Sequence, residues 1–167
     1  TTIINSKISR NHTELLLKFL GYPIKINENK NYNRIIVKGQ NQFQAFKYRV
    51  PGDISSASFF IVLTLLSKKS KIVIKNVNIN KTRIGIITIL NKMGAGIKLK
   101  RKKNYNGEEI ADIHVKSKKN LKSINCPSRL NSSAIDEFLI IFLVAAKAKG
   151  ISKFNDLGEM NKKESKR

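Results

Sequence analysis

The pattern of apolar and polar residues along the chain changes between a helical period and an alternating period. Apolar residues recur at helical spacing from Thr13 to Leu20 and from Ile84 to Met93, and each run ends beside a glycine suited to a helix C-cap. Short alternating segments follow both runs, at Ile24 and at Ile97. We therefore predict two helices, each of which leads into a strand.

These two segments indicate an internal repeat. Gly94 follows Gly21 by 73 positions, and the same offset places Arg83 on Arg10. After a polar turn in each copy, a return strand is predicted at Ile35–Lys38 and at Ile113–Lys116. A repeat of this length is typical of a fold built from similar structural units.

A second kind of segment also recurs. Apolar helices are predicted to open at Ser56 and at Ala134, and strands are predicted to follow at Lys71–Ile74 and Ile151–Phe154. We interpret the chain as three copies of one unit, of which only the copy at 54–116 is whole.

The first copy keeps its second half and the third copy keeps its first half. Such small units bury little surface alone, so their helices should gather inside. The domain boundary is expected near Phe46 to Val50, with residues 1–47 ending one domain and residues 48–167 forming most of a second.

The formal net charge of +22 suggests a partner rich in phosphate. The lysines are nevertheless spread along the chain among many Asn and Ile residues, a bias typical of an AT-rich genome. A basic nucleic-acid-binding module therefore stays an alternative and not the favoured hypothesis.

The cysteine, the two histidines and the lengths of the apolar runs limit the possible cellular compartment, metal sites and membrane segments. The single cysteine, Cys126, fits a core position in a reducing compartment, which favours the cytoplasm. No signal peptide is visible and no apolar run reaches the roughly 18 residues that a membrane helix needs. His12 and His114 lie far apart without cysteine partners, so a metal site has little support.

Two helix starts carry small polar residues. The turn Pro51–Gly52 leads into Asp53 and Ser55, where an N-cap is a more probable role than contact with a ligand. Ser9 precedes the other helix start, where capping is again the simpler interpretation, although its hydroxyl could also donate to a phosphate.

Two acidic segments suggest proton transfer. Asp136 and Glu137 are predicted in the first turn of an apolar helix, where a carboxylate either caps the helix or accepts a hydroxyl proton. Glu164 lies between Lys163 and Arg167, an arrangement that tunes an acid or base when it lines a cleft and is otherwise a solvated helix start. Because the chain begins at Thr1 and ends within this run, we expect an internal fragment of a longer enzyme.

Taken in order, these segments resemble a known family. They are Ser9–Glu14, Pro51–Phe59, Thr82–Gly85, Lys92–Ala95, Ile135–Glu137 and Lys163–Ser165. Together they resemble the signatures of the EPSP synthase family (3-phosphoshikimate 1-carboxyvinyltransferase). The resemblance implies an α/β (α+β) enolpyruvyl transferase fold made of repeated βαβαββ units, which are incomplete in this chain.

The resemblance also implies an activity. The family transfers the enolpyruvyl group of phosphoenolpyruvate to the 5-hydroxyl of shikimate 3-phosphate, in the pathway to chorismate and the aromatic amino acids. It implies no metal or organic cofactor, no nucleic-acid or membrane partner, and a monomer when the protein is complete.

The family's site residues fall on five positions of this chain. The resemblance implies that Asp136 orients or deprotonates the attacking hydroxyl and that Glu164 handles the methylene proton. It places Lys163 against the substrates, Arg167 on the phosphoenolpyruvate anion and Ser9 on the phosphate of shikimate 3-phosphate.

Some positions depart from the family pattern. Asn161 and Lys166 stand where an arginine and an aspartate are usual, and Glu159 keeps a polar group at a substrate-side position. The family's amino-terminal Lys-Ser, its Ser-x-Gln segment and its late arginine and lysine have no counterpart, so the isolated chain should be inactive. The related transferase that acts on UDP-N-acetylglucosamine is the alternative enzyme.

Overall fold

An antiparallel three-stranded sheet with one helix forms the amino-terminal part of the protein. The computed structural model describes residues 1–7, 9–29, 31–39 and 42–162. The elements are β1 (Thr2–Lys7), α1 (His12–Phe19), β2 (Ile24–Glu28) and β3 (Tyr32–Val37). The strand order is β1-β3-β2, with β3 in the centre. The predicted helix and the two strands after it are confirmed, whereas β1 was not predicted.

The second sheet repeats this arrangement. It contains β4 (Lys71–Asn78), β5 (Lys98–Tyr105) and β6 (Glu108–Lys116), with α3 (Gly85–Lys92) between β4 and β5. The strand order is β4-β6-β5 and both pairings are antiparallel, so the third strand is again central. Equal order and direction in the two sheets confirm the internal repeat.

The remaining elements pack beside the second sheet. Helix α2 (Ile54–Leu66) precedes β4, and helix α5 (Phe138–Lys147) connects the short parallel strands β7 (Asn125–Cys126) and β8 (Lys153–Phe154). Two 3-10 turns occupy Ser128–Leu130 and Gly158–Lys162. The strand predicted at residues 151–154 is therefore shorter than expected.

The helix predicted to open at Ala134 is interrupted. A short helix α4 (Asn131–Ala134) ends there, a turn covers residues 135–137, and α5 begins only at Phe138. The placement of Asp136 and Glu137 in the first turn of a helix was therefore wrong. The amide of Glu137 donates to the carbonyl of Ala134, three residues back, which makes a tight turn where an α-helix would bond four back.

The hydrophobic core lies where α2, α3 and α5 meet the second sheet. Its fully buried side chains include Ile61 and Leu65 of α2, Leu90 of α3, and Phe138 and Ile141 of α5. Each such side chain contributes about 1.5–3 kcal/mol by leaving water. The expected gathering of the helices is confirmed, and the core also encloses the free thiol of Cys126.

Apolar side chains lie around most of the surface of helix α2, and the core covers only part of that surface. Some of these apolar side chains therefore stay exposed to solvent. Among them are Phe59, Phe60 and Leu63, and Leu139 and Leu143 of α5 are exposed as well. Among the described residues, no helix combines the length and the apolar character needed to cross a bilayer.

One carboxylate supports both edges of the second sheet. Strands β4 and β5 each shift register against β6, near Asn76 and Arg101, where the backbone φ angles are 52° and 51°. Asp112 of β6 accepts the amide of Asn76 at 2.9 Å and pairs with the Arg101 guanidinium. The Asn76 amide and the Arg101 charge keep the pKa of Asp112 below its usual value despite partial desolvation.

Candidate active site

A cavity of about 810 Å³ opens where four distant parts of the chain meet. These are the segment before α1, the loop before α3, the region around α4, and the 3-10 turn at Gly158–Lys162. The lining residues are Ser9, Arg10, Lys81, Thr82, Arg129, Leu130, Ser132, Ser133, Ile135, Asp136 and Glu159. The fold thus brings residues more than a hundred positions apart to one surface.

Two of the five predicted site residues lie within the described part of the chain, and both line this cavity. Ser9 comes from the segment before α1 and Asp136 from the turn before α5. Lys163, Glu164 and Arg167 lie outside the described residues, as does Lys166. Glu159 also lines the cavity.

The lining suits a small polar anion. Three cationic side chains, Arg10, Lys81 and Arg129, face the cavity with two carboxylates, Asp136 and Glu159. The hydroxyl groups of Ser9 and Ser132 add possible donors, whereas those of Thr82 and Ser133 donate to Asn80 Oδ1 and to the Leu130 carbonyl. No cluster of three or more His, Cys, Asp and Glu side chains suited to a metal ion occurs in residues 1–7, 9–29, 31–39 or 42–162.

Asp136 is held by two arginines from different repeat copies. Its Oδ2 contacts Nη2 of Arg10 directly, and Nη2 of Arg83 lies 3.8 Å from the same oxygen. Arg10 precedes α1 by two residues and Arg83 precedes α3 by two residues. The carboxylate at the cavity wall therefore lies next to two positive charges.

Behind Asp136, a partly buried polar network joins the start of α2 to the turn before α5. Arg83 Nη2 donates to Ser55 Oγ at 2.7 Å, and Ser55 Oγ donates to Glu137 Oε1 at 2.5 Å. Arg83 Nη2 also reaches Asp53 Oδ1 at 3.4 Å. One guanidinium thus links three side chains besides Asp136.

The two carboxylates of this network titrate in opposite directions. Burial raises the pKa of Glu137, and the Ser55 hydrogen bond with the Arg83 charge offsets only part of that effect. Burial acts on Asp53 too, but hydrogen bonds from the amide and hydroxyl of Ser56 and the Arg83 charge lower its pKa overall. Asp53 is the N-cap of α2 and accepts the Ser56 amide at 2.8 Å, so the predicted capping role is confirmed.

Capping by Ser9 was wrong. The N-cap position of α1 belongs to Asn11, whose side chain makes no capping hydrogen bond. Asn11 Oδ1 instead accepts Nδ2 of Asn80 at 2.8 Å. The side chain is used to attach α1 to the second sheet, and Ser9 is left at the cavity.

A second polar network fixes α1 to the end of β4 and the start of β6. Glu108 Oε1 lies 2.7 Å from His12 Nδ1, and Glu108 Oε2 accepts from Asn78 at 2.6 Å and from Asn80 at 3.3 Å. Burial acts to raise the pKa of Glu108, but the bonds from Asn78, His12 and Asn80 together lower it. This network holds the segment that carries Ser9 and Arg10.

Sequence reasoning missed most of the charged lining. Lys81, Thr82, Arg129 and the serines of α4 were not identified as site residues, because single exposed cations and hydroxyls look like ordinary surface. The internal repeat places Arg10 and Arg83 at equivalent positions. This equivalence is the sequence signal that could have indicated that both arginines contact Asp136.

The fold and the cavity define a class of protein: an α/β protein of repeated sheet-and-helix units with a polar, cation-lined cleft at the junction of the units. A family model described as EPSP synthase (3-phosphoshikimate 1-carboxyvinyltransferase) matches residues 1–167. The chain belongs to the EPSP synthase family.

Individual relatives agree with this family. The chain is 45% identical over 159 residues, 95% of its length, to the 3-phosphoshikimate 1-carboxyvinyltransferase of Ruthia magnifica. It is 40% identical over its whole length to that of Legionella pneumophila strain Philadelphia 1. It spans 35% of the first protein and 37% of the second.

Solved structures show the same fold. An EPSP synthase structure from Acinetobacter baumannii superposes with a TM-score of 0.85 at 35% identity, covering 98% of this chain and 37% of that one. A second EPSP synthase structure from the same organism gives a TM-score of 0.77 at 36% identity, covering 89% of this chain.

Proposed function

We propose that this chain forms part of an enzyme that transfers the enolpyruvyl group of phosphoenolpyruvate to the 5-hydroxyl of shikimate 3-phosphate, with release of phosphate. Family membership supports the reaction, and the chain spans little more than a third of its matched relatives. The observation that carries the proposal is the meeting of Ser9 and Asp136 in one cation-lined cavity.

The chemistry of the cavity suits these substrates. Both are small and multiply anionic, and the three cations of the cavity attract such molecules. The Ser9 hydroxyl donates a hydrogen bond to the phosphate of shikimate 3-phosphate. The Ser9 hydroxyl and the Asp136 carboxylate face the same cavity, so one bound substrate can contact both.

Asp136 acts on the 5-hydroxyl of shikimate 3-phosphate, which is the attacking group. The methylene carbon of phosphoenolpyruvate gains a proton, the neighbouring carbon becomes electrophilic, and the 5-hydroxyl oxygen adds to it. Asp136 orients that hydroxyl or accepts its proton as the bond forms. The tetrahedral intermediate then loses phosphate and a proton from its methyl group, which restores the double bond.

The remaining roles belong to residues outside the described part of the chain. Glu164 handles the methylene proton, Lys163 contacts the substrates, and Arg167 binds the phosphoenolpyruvate anion through its planar guanidinium. Their closeness in sequence to Glu159, which lines the cavity and precedes Lys163 by four residues, supports this assignment.

We also propose the organisation around this site. Residues 1–47 close the first domain and residues 48–167 form most of the second, a division supported by the absence of helix and strand from 42–50. The enzyme acts in the cytoplasm, which the free, buried Cys126 supports, and it is a monomer when complete, with no nucleic-acid partner.

A chimaera tests the proposed reaction. Residues 1–167 would replace the matching segment of the Legionella pneumophila relative, and phosphate release would be measured with phosphoenolpyruvate and shikimate 3-phosphate. We expect turnover with shikimate 3-phosphate and none with UDP-N-acetylglucosamine. The isolated 167-residue chain should show none.

Two aspartate-to-asparagine variants test whether Asp136 takes part in the reaction. Asp136→Asn in the chimaera should lower kcat about 10²- to 10⁴-fold, because general-base assistance is lost. The matched control is Asp156→Asn, at an exposed aspartate with φ 58°, a conformation that asparagine tolerates. Full activity of Asp136→Asn, or a folded chimaera that binds neither substrate in calorimetry, would refute the proposal.

A further inference from the structure

Arg83 occupies a position that the proposed reaction does not use. Its side chain is 16% exposed and does not line the cavity that holds Ser9 and Asp136. A single nitrogen, Nη2, lies 2.7 Å from Ser55 Oγ, 3.4 Å from Asp53 Oδ1, 3.8 Å from Asp136 Oδ2 and 4.0 Å from Glu137 Oε1. One cation therefore joins the start of α2 to both acids of the turn before α5.

The two arginines near Asp136 differ in how far their side chains are exposed and held by other residues. Arg10 has a side chain that is 45% exposed, and it lines the cavity. Arg83 is mostly buried and is fixed from behind by Asp53 and Ser55, which belong to the N-terminal end of α2. Arg10 can turn toward a ligand, whereas Arg83 is held in one place.

The turn itself needs such a support. Residues 135–137 interrupt the helix, and the backbone bonds of Glu137 to Ala134, Ile140 and Ile141 fix the path of the chain but leave the side chains to be held by other contacts. Glu137, 2% exposed, projects into the interior and is bonded by Ser55, which is itself bonded by Arg83. The neighbouring residue Asp136 consequently faces the cavity.

We infer that Arg83 is a positioning residue, which holds the turn of Asp136 and Glu137 against the start of α2 so that the Asp136 carboxylate stays at the cavity wall. The role of Arg83 in catalysis rests on the proposed function. The role of Arg83 in holding the turn is independent of that function, and it can be tested without measuring turnover.

The first test follows the two carboxyl groups in the 167-residue chain by carbon-13 NMR as pH is changed. The groups that face Glu137 are Arg83, Asp53, Arg10 and the Ser55 hydroxyl. In Arg83→Gln the Glu137 titration should move to higher pH and the Asp136 signal should change. Arg83→Lys should restore part of both effects.

Matched variants make the result specific. Arg101→Gln removes an arginine that pairs with Asp112 elsewhere on the second sheet, and it should leave both signals unchanged. Ser55→Ala breaks the link from Arg83 to Glu137 without changing a charge, and it should also move the Glu137 titration upward. This variant decides the question if Arg83→Gln fails to fold.

The second test measures kinetics in the chimaera. Arg83→Gln should lower kcat about 10- to 100-fold with little change in KM, because a displaced acid impairs reaction more than binding. Unchanged Glu137 and Asp136 signals in both Arg83→Gln and Ser55→Ala would overturn the inference. A folded parent chimaera that binds neither substrate would refute the proposed function alone, since the NMR result stands without it.

Discussion

At the scale of single residues, the protein contains two buried glutamates whose pKa values move in opposite directions. Glu137 is 2% exposed and Glu108 is 8% exposed, so desolvation penalises the charged form of both. Glu108 is bonded by Asn78, His12 and Asn80, whereas Glu137 accepts a hydrogen bond from Ser55 and has Arg83 Nη2 4.0 Å from its Oε1. At Glu108 the three hydrogen bonds and the His12 charge outweigh burial, whereas at Glu137 the Ser55 bond and the Arg83 charge do not.

Glu137→Gln should change how stability depends on pH. Because the folded state raises the pKa of Glu137, the folded protein keeps this proton better than the unfolded chain. The free energy of unfolding therefore falls as pH rises from the usual glutamate range through the higher folded pKa. Glutamine is neutral throughout, so urea unfolding should show the variant gaining stability over the parent across that interval.

A constant difference between Glu137→Gln and the parent at all pH values would contradict the raised pKa. The comparison of the two proteins removes the contribution of the other carboxyl groups, since both proteins share them.

Glu108→Gln should have the opposite pH dependence. The lowered folded pKa of Glu108 means that its stabilisation is present above the usual glutamate pKa and is lost as pH falls through the folded value. At neutral pH we expect a loss of about 1–3 kcal/mol, since a charged acceptor with three partners is replaced. The loss should shrink in acid, as measured by urea unfolding.

The adjacent strand residue supplies the control for Glu108. Glu109→Gln makes the same change at an exposed position of β6 and should cost less than about 0.5 kcal/mol. Equal losses in the two variants would show that the network around His12 does not stabilise the fold.

At the scale of elements, the site depends on how closely α3 and α4 approach each other. Gly85, the first residue of α3, faces Ser133 and Ala134 of α4. A Cβ built at Gly85 would lie 2.5 Å from Ser133 Oγ and 2.8 Å from Ala134 Cβ. Glycine is therefore required by space here, and the contact places the α4 serines at the cavity wall.

Gly85→Ala should separate these helices. We expect a loss of about 1–3 kcal/mol in the free energy of unfolding, which is typical of overpacking. In the chimaera, KM for shikimate 3-phosphate should also rise, because Ser132 and Ser133 line the cavity. Gly158→Ala is the control, since a Cβ there meets nothing within 4 Å.

Denaturant unfolding and steady-state kinetics give the two measurements for Gly85→Ala. A variant as stable and as active as Gly158→Ala would show that the helices can move apart without consequence.

At the scale of the whole molecule, charge repulsion is the dominant electrostatic feature. The chain has 33 Lys and Arg residues against 11 Asp and Glu residues, for a net charge of +22. Such an imbalance destabilises a compact state and draws anions to the cavity at the same time. Both effects weaken as salt screens the charges.

Salt should therefore stabilise the folded chain. Raising NaCl from about 0.01 M to 0.15 M shortens the Debye length from about 30 Å to 8 Å. We expect the melting temperature to increase by about 2 °C or more, since repulsion outweighs the few ion pairs. Differential scanning calorimetry measures the change, with sucrose at equal osmolality as the uncharged control. A melting temperature that falls with salt would show that the ion pairs around Asp136 and Asp112 dominate.

The sequence determined the repeated units, and it did so through local signals. Apolar periodicity and the glycines at positions 21 and 94 predicted both helix-to-strand segments, because these patterns depend on residues close in the chain. Strand β1 escaped notice, since its alternation is weak and its partner β3 lies about thirty residues away.

The tertiary structure decided the rest. In the turn that carries Asp136, the Glu137 side chain is bonded by Ser55, and the N-cap residue of α1, Asn11, is bonded by Asn80. Both partners are distant in sequence. The meeting of Arg10, Arg83 and Asp136 likewise requires the two copies to pack together. Long-range contacts of this kind have no local pattern, because their energy comes from groups that become neighbours only after the chain has folded.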